Sequence, residues 1–247
     1  MKLIRLTMAV TALMPLFAQA QQSWREVDWG NLIVRAGGTY IHPRGDATSL
    51  QYPILQNWDL FRTRWDFDSD TTWNLSVAWQ PMDHWGFELM HIFNAQYDIQ
   101  LSRFTGIPGR DLIELGKFEV TTSNAFINWY PLQPDCLGRP YFGVGVNYTD
   151  FRDMQLSHDF NRFLIDSDVS TGPADFNMGY SWGWAAQVGV DFTYSRSTPW
   201  LANVAVLYLD SDTNTRITFP TELGYDHLRA KVDYDPWMLN LSIGYRF

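Results

Sequence analysis

The dominant pattern along this chain has a period of two. Between residues 71 and 80, Trp73, Leu75, Val77 and Trp79 alternate with Thr72, Asn74, Ser76, Ala78 and Gln80. Successive side chains of an extended strand point to opposite faces, so this stretch has one apolar face and one small, polar face. The alternation recurs along the chain. Residues 31–41 set Leu32, Val34, Ala36 and Tyr40 against Arg35 and Thr39, and residues 84–99 set Trp85, Phe87 and Leu89 against Glu88, with a less regular upper half that suits a bulge. Residues 118–130 oppose Ala125, Ile127 and Trp129 to Asn124 and Asn128, and residues 140–153 oppose Phe142, Val144, Val146 and Tyr148 to Gly143, Gly145, Asn147 and Thr149. In residues 181–194 the outward row is Trp182, Trp184, Val188, Val190 and Phe192, with Gln187 and Asp191 behind it. In residues 200–212 the outward row is Ala202, Val204, Val206 and Tyr208, and the other face carries Leu201, Leu207 and Leu209 beside Asn203.

The eighth stretch, residues 234–247, puts Trp237, Leu239, Leu241, Ile243, Tyr245 and Phe247 in one row. An apolar row that runs to a terminal aromatic with nothing to cover it is expected to close a barrel, which leaves no strand edge open. Tyr245 and Phe247 are read as the assembly signal. The connections 81–83, 131–139 and 195–199 are short, whereas 42–70, 100–117, 154–180 and 213–233 are long, in strict alternation. The expected fold is therefore all-β: an eight-stranded antiparallel transmembrane β-barrel with short periplasmic turns, long extracellular loops and both termini periplasmic. A soluble eight-stranded barrel would need a polar exterior, and the tryptophan-rich rows do not supply one.

Composition fits an exported protein. Residues 1–20 hold Lys2, Arg5, an apolar run from 6 to 17 and Ala18-Gln19-Ala20, the order of a secretory signal, so the expected division is a signal peptide at 1–20 and a barrel at 21–247. The formal charge of -9 becomes -11 without Lys2 and Arg5, which argues against nucleic acid as a partner. The longest charge-free runs after the signal fall short of the roughly 20 apolar residues of a spanning helix, so any crossing must be made by strands. Aromatics make up 16% of the chain, with twelve Trp, enough for belts at both membrane interfaces. The single Cys136 has no partner for an internal disulfide.

Little here points to catalysis. His42, His84, His91, His158 and His227 show no zinc-type spacing, and no catalytic, metal or cofactor residue is expected; a Ser-His-acid triad is not exposed by spacing, so a lipid-directed hydrolase stays as a third reading. Asp-Ser-Asp triplets at 68–70, 166–168 and 210–212 lack the glycine and distal glutamate of a calcium loop and read as solvated charge. Gly143, Gly145, Gly183 and Gly189 alternate along strands and read as room-makers in a crowded lumen. Arg35, Glu88 and Arg246 face inward and are expected to pair as a charge plug in the periplasmic half, since buried charge is tolerated when paired. Leu207 and Leu209 face inward near the other end and are expected to form an apolar constriction. Trp58, Phe61, Trp65 and Phe67 in the first long connection suit a partly helical cap.

Several motifs fall in order along the chain: Val34-Arg35-Ala36-Gly37, Gly86-Phe87-Glu88-Leu89, Arg139 to Tyr148 (RPYFGVGVNY), Ser181-Trp182-Gly183, Gln187 to Asp191, Asp235-Pro236-Trp237 and Gly244-Tyr245-Arg246-Phe247. Together they resemble the OmpW family of small outer-membrane barrels, which includes the alkane-uptake protein AlkL. The resemblance implies an eight-stranded barrel whose narrow, apolar upper lumen passes small hydrophobic molecules into the membrane through an opening in the wall; some relatives serve as colicin receptors. One departure bears on that opening. The family's prolines in strands three and four correspond here to Asn94 and Thr122-Ser123, and without proline a ladder donor is not removed. The expected function is passive uptake of small hydrophobic molecules, with a non-conducting structural or receptor barrel as the alternative. Expected partners are outer-membrane lipids and lipopolysaccharide, the barrel-assembly machinery and hydrophobic solutes; no cofactor is expected.

Overall fold

The computed structural model describes residues 31–44, 46–48, 50–51, 64–107, 110–195 and 197–247. The expected signal peptide, Trp58 and Phe61 lie outside the described residues. Thirteen strands and one helix are described: β1 (Leu32–His42), β2 (Asp46–Ala47), β3 (Arg64–Phe67), β4 (Asp70–Met82), β5 (Trp85–Ile107), β6 (Arg110–Trp129), β7 (Gly138–Leu156), α1 (His158–Asp166), β8 (Asp175–Met178), β9 (Tyr180–Thr193), β10 (Trp200–Leu209), β11 (Asp212–Thr221), β12 (Gly224–Asp233) and β13 (Trp237–Arg246). No helix among them is long and apolar enough to cross a membrane.

Eight strands form the ring. The antiparallel order runs β1, β4, β5, β6, β7, β9, β10, β13 and returns to β1, so each strand has two partners. Closure depends on β13, which pairs β1 from Ile33↔Arg246 to His42↔Trp237 and β10 from Trp200↔Tyr245 to Tyr208↔Trp237. The ladder reaches the terminal residue, whose amide donates to the Leu32 carbonyl at 2.8 Å. Outside the wall the expected apolar rows are exposed, with Trp73 at 74%, and inside it Asn74, Ser76, Asn124, Asn147 and Gln187 are buried. In water the first face would be costly and the second pointless; against hydrocarbon each matches its surroundings.

The two ends differ. At one end, β4–β5, β6–β7 and β9–β10 are joined by short turns, and both β1 and β13 reach that end. At the other, the chain carries more regular structure than loops. Residues 100–117, expected to be a loop, continue β5 and β6 upward as a hairpin. Residues 213–233, also expected to be a loop, are the hairpin β11–β12, which with β8 and β2 makes a second, four-stranded sheet. Within the expected loop 154–180, Ser157 caps α1 by accepting from the Phe160 amide at 3.0 Å, and Phe160 and Leu164 are buried. The first connection departs from the helical expectation at Trp65 and Phe67, which lie on β3, pairing with β5, with Trp65 buried.

A bulge interrupts the β5–β6 ladder. Ile92 pairs with Thr122 and Ala95 with Val120, so Phe93 and Asn94 both oppose Thr121 and both are exposed. Below it the pairs Leu89↔Ala125, Met90↔Asn124 and His91↔Ser123 are in register. The wall is thus bulged at Asn94 and hydrogen-bonded at Thr122-Ser123, with no gap at either position.

Candidate functional site

The lumen is charged at the turn end and mainly apolar toward the extensions, where the buried polar side chains are uncharged, as with Asn147, which donates to the Asp210 carbonyl at 2.8 Å and accepts from Thr149 at 3.1 Å. At the turn end, the Arg35 guanidinium donates from Nη1 to Glu88 Oε1 at 3.0 Å and from Nη2 to Asp191 Oδ2 at 2.7 Å, with all three groups buried. The second Glu88 oxygen accepts from Asn128 at 2.8 Å and from Gln187 at 2.9 Å. Asn203 donates to Asp191 at 2.8 Å and to the Tyr141 hydroxyl at 3.0 Å. Each buried carboxylate therefore has a cation and amide donors, the condition under which burial is tolerable. Arg139 forms the layer nearest the turns, donating to Gln80 at 3.0 Å and to the Asp83 carbonyl at 2.7 Å, with its guanidinium 4.5 Å from the Tyr130 ring centroid.

Two glycines make this packing possible. A β-carbon on Gly143 would come within 2.2 Å of the Asn128 amide oxygen, and one on Gly189 within 2.5 Å of the Tyr141 ring. The room-making role expected of these positions is met.

The expected plug residues are placed unequally. Arg35 and Glu88 pair, but Arg246 does not join them: among the described residues no carboxylate lies within ion-pair distance of it, and Asp191 takes the second place on Arg35. Parity along a strand assigns a side chain to the lumen; it does not say which inward residues meet across it. Asp191 and Arg139 were legible as part of the lumen or its rim, and their partners depend on stagger around the barrel.

Toward the extensions, Leu207 and Leu209 are both fully buried, as their inward parity requires. Leu207 lies between Gln187 on β9 and Met238 on β13, at the border of the polar network. Above them the lumen is filled by aromatics that spacing alone did not single out: Tyr97, Phe118, Phe151 and Tyr234. Their ring centroids are 5.4 to 5.9 Å apart, and the Tyr234 hydroxyl donates to that of Tyr97 at 2.8 Å. A water-filled pore would not present such a surface.

Two further places hold chemistry. On the outer wall a cavity of about 430 Å³ is lined by Leu75, Leu89, Met90, Ala125, Val146 and Trp182, among others, and at its floor His91 Nδ1 meets Ser123 Oγ at 2.9 Å. Met90 and Asn124 also touch this cavity although their side chains are buried on the lumen side, so the wall is one strand layer thick there. No carboxylate is hydrogen-bonded to His91 among the described residues, so this pair lacks the acid of a hydrolytic triad. At the upper rim Asp210, Asp212 and Asp235 bring carboxylate oxygens within 4.8 Å of one another, and partial burial, then Asp235 and Asp212, push the Asp210 carboxyl above its ordinary range.

A closed antiparallel ring with a lipid-facing exterior and a sealed polar base defines an integral outer-membrane β-barrel. The OmpW family profile matches residues 28–247, and the chain belongs to the OmpW family. It is 29% identical over 218 residues to outer membrane protein W of Salmonella typhi, covering 88% of this chain and 89% of that one. It is 26% identical over 170 residues to the dibenzothiophene metabolism operon protein PahQ of Pseudomonas aeruginosa, covering 65% and 70%. The crystal structure of the outer membrane protein OprG from Pseudomonas aeruginosa superposes with a TM-score of 0.72 at 27% identity, covering 88% of this chain and 96% of that one. The family and fold expected from the motifs are those found, and the protein resides in the outer membrane.

Proposed function

We propose that this barrel admits small hydrophobic molecules from outside the cell and delivers them to the membrane without an energy source, with the long extensions extracellular and both termini periplasmic. The observation that carries this reading is the contrast along the lumen: Leu207, Leu209 and the Tyr97, Phe118, Phe151 and Tyr234 rings, with only uncharged polar groups such as Asn147 and Thr149 beside them, above a base closed by the Arg35–Glu88–Asp191 network. An apolar solute gains by leaving water for the upper half and has no favourable path through the base, because displacing paired charges there is costly. Its exit must then be sideways. The bulge at Phe93 and Asn94 is an irregular point of the wall, and the cavity on the outer face beside it offers an apolar landing. A relative named for a dibenzothiophene metabolism operon supports the choice of aromatic hydrocarbons and heterocycles as the first solutes to test.

The test is uptake of a labelled hydrophobic solute by cells carrying the protein or its Leu207→Asp/Leu209→Asp variant. Unpaired carboxylates in the constriction make it unattractive to hydrocarbon, so uptake is expected to fall while heat-modifiable migration shows that the barrel still assembles. Uptake at the original rate in a correctly assembled variant would overturn the reading. The packed contact between Tyr97 and Tyr234 favours a second one, a non-conducting receptor barrel that acts through its extracellular surface, and that outcome would move the assignment there.

A further inference from the structure

The outward-facing rows of β10 and β13 do not end at the barrel rim. Inward and outward positions keep alternating from β10 into β11 and from β12 into β13, so one surface runs from the lipid-facing wall onto the second sheet. Upward along the first path come Val204, Val206, Tyr208, Asp210, Asp212, Asn214 and Arg216. Upward along its neighbour come Leu239, Trp237, Asp235, Asp233, Lys231 and Arg229. Both paths change chemistry in the same order: aliphatic, aromatic, carboxylate, cation.

Each layer is made by contacts across the strands. In the aromatic row, Tyr208 stands 5.2 Å from Trp184 on one side and 5.2 Å from Trp237 on the other. In the carboxylate layer, Lys231 is held by Asp212 at 2.9 Å and Asp233 at 2.8 Å. In the top layer, Arg216 is directly opposite Arg229 in the β11–β12 register. Like charges directly opposite on a sheet repel, and among the described residues neither guanidinium has a carboxylate within ion-pair distance. Burial and these same two arginines push the neighbouring His227 imidazole below its ordinary range. The fold thus concentrates uncompensated positive charge on one face of a chain whose net charge is -9.

That face is concave. Arg216, Arg229 and Lys231 line a depression of about 1050 Å³ with Thr48, Gln51 and Asn177, which supply neutral amides and hydroxyls; among the described residues Asp175 is the one carboxylate in its lining. At about 3.3 Å per residue and a tilt of about 40°, the cations lie roughly 15 to 20 Å above the aromatic row. A row of Tyr and Trp marks where hydrocarbon gives way to headgroups.

We propose that this face binds the outer-leaflet lipopolysaccharide, its acyl chains against the aliphatic wall, its phosphorylated sugars in the depression and one phosphate shared by Arg216 and Arg229. Guanidinium forks match phosphate oxygens, and the amides and hydroxyls around them match saccharide. A free anion would be repelled by the acidic chain as a whole, whereas a lipid anchored in the same leaflet is already held beside the site at high effective concentration. The assignment rests on the extracellular placement of the extensions proposed above and is independent of solute passage.

The test uses the full-length protein in phosphatidylcholine nanodiscs, titrated with lipopolysaccharide bearing a phosphorylated core. Wild type is expected to bind with strong salt dependence, and Arg216→Glu/Arg229→Glu to bind at least about tenfold more weakly. The milder Arg216→Gln/Arg229→Gln pair should fall between them, and Arg64→Glu/Arg152→Glu, which alters exposed arginines elsewhere, should match wild type. Equal binding by wild type and both Arg216/Arg229 variants would overturn the proposal. So would displacement by inorganic phosphate or a soluble sulfated glycan at the concentration of the lipid, which would leave an anion site with no preference for a membrane-anchored ligand. Thiol labelling of Asn214→Cys on intact cells reads the orientation separately, so a failure there is told apart from a failure to bind.

Discussion

Arg35 carries most of the electrostatic balance of the sealed base, because one guanidinium serves two buried carboxylates. Replacing it by Met would strand Glu88 and Asp191 near each other without a cation, and breaking a buried pair in this way costs about 3 to 5 kcal/mol. The expected outcome is a clear loss of stability in urea titrations of the protein refolded into vesicles. Arg246→Met should cost much less, since that side chain has no ion-pair partner among the described residues; equal losses would mean that position in the base, and not pairing, sets the cost. This contrast marks how far side-chain reasoning reached. Arg35 and Glu88 were legible because charge at an inward parity position of a membrane strand has few uses other than pairing. That Asp191 and not Arg246 completes the set depends on strand stagger, which the alternation in any single stretch does not contain.

The eight wall strands were legible because hydrocarbon outside and a small polar lumen inside force an unbroken alternation on each of them. The extensions were not, since no bilayer imposes the contrast there. Residues 212–221 and 224–233 do alternate, with Thr213, Thr215, Ile217 and Phe219 buried on β11 and Leu228, Ala230 and Val232 buried on β12. The charged and hydroxylated outward positions made the stretch read as a loop, and counting the inward row alone would have found the hairpin. The distinction matters for assembly. β13 closes the ring by pairing β1 and β10, and its ladder is completed at Phe247, whose ring stands 4.9 Å from that of Tyr245. Deleting Phe247 is expected to reduce the yield of heat-modifiable barrel in cells more than replacing residues 213–232 by a short turn, because the hairpin belongs to the second sheet and its loss leaves every wall ladder intact. A normal yield after the terminal deletion would show that closure does not depend on the last residue.

At the scale of the whole molecule, the passage proposed above needs a way out of a lumen closed at its base by paired charge and walled by strands that each pair on both sides. The place where relatives were expected to carry proline is held here by Asn94, which spans the irregularity instead of opening it: its side chain donates to Glu119 at 2.9 Å and accepts from the Thr121 hydroxyl at 2.7 Å, while its carbonyl accepts from Thr72 at 3.1 Å. A bulge adds one residue to one strand, so both Phe93 and Asn94 face outward before the alternation resumes at Ala95. Deleting Asn94 would restore strict alternation from Ile92 through Phe93 to Ala95 without turning any other side chain to the wrong face. The barrel should still assemble, because the exposed hydrogen bonds lost with Asn94 are offset by the regular ladder gained. If solute leaves through the wall at this point, uptake by cells carrying the deletion should fall well below that of the full chain, with the amount of assembled barrel unchanged. Undiminished uptake would place the exit elsewhere and make the bulge a device for re-aiming the upper part of β5 toward the hairpin it forms with β6.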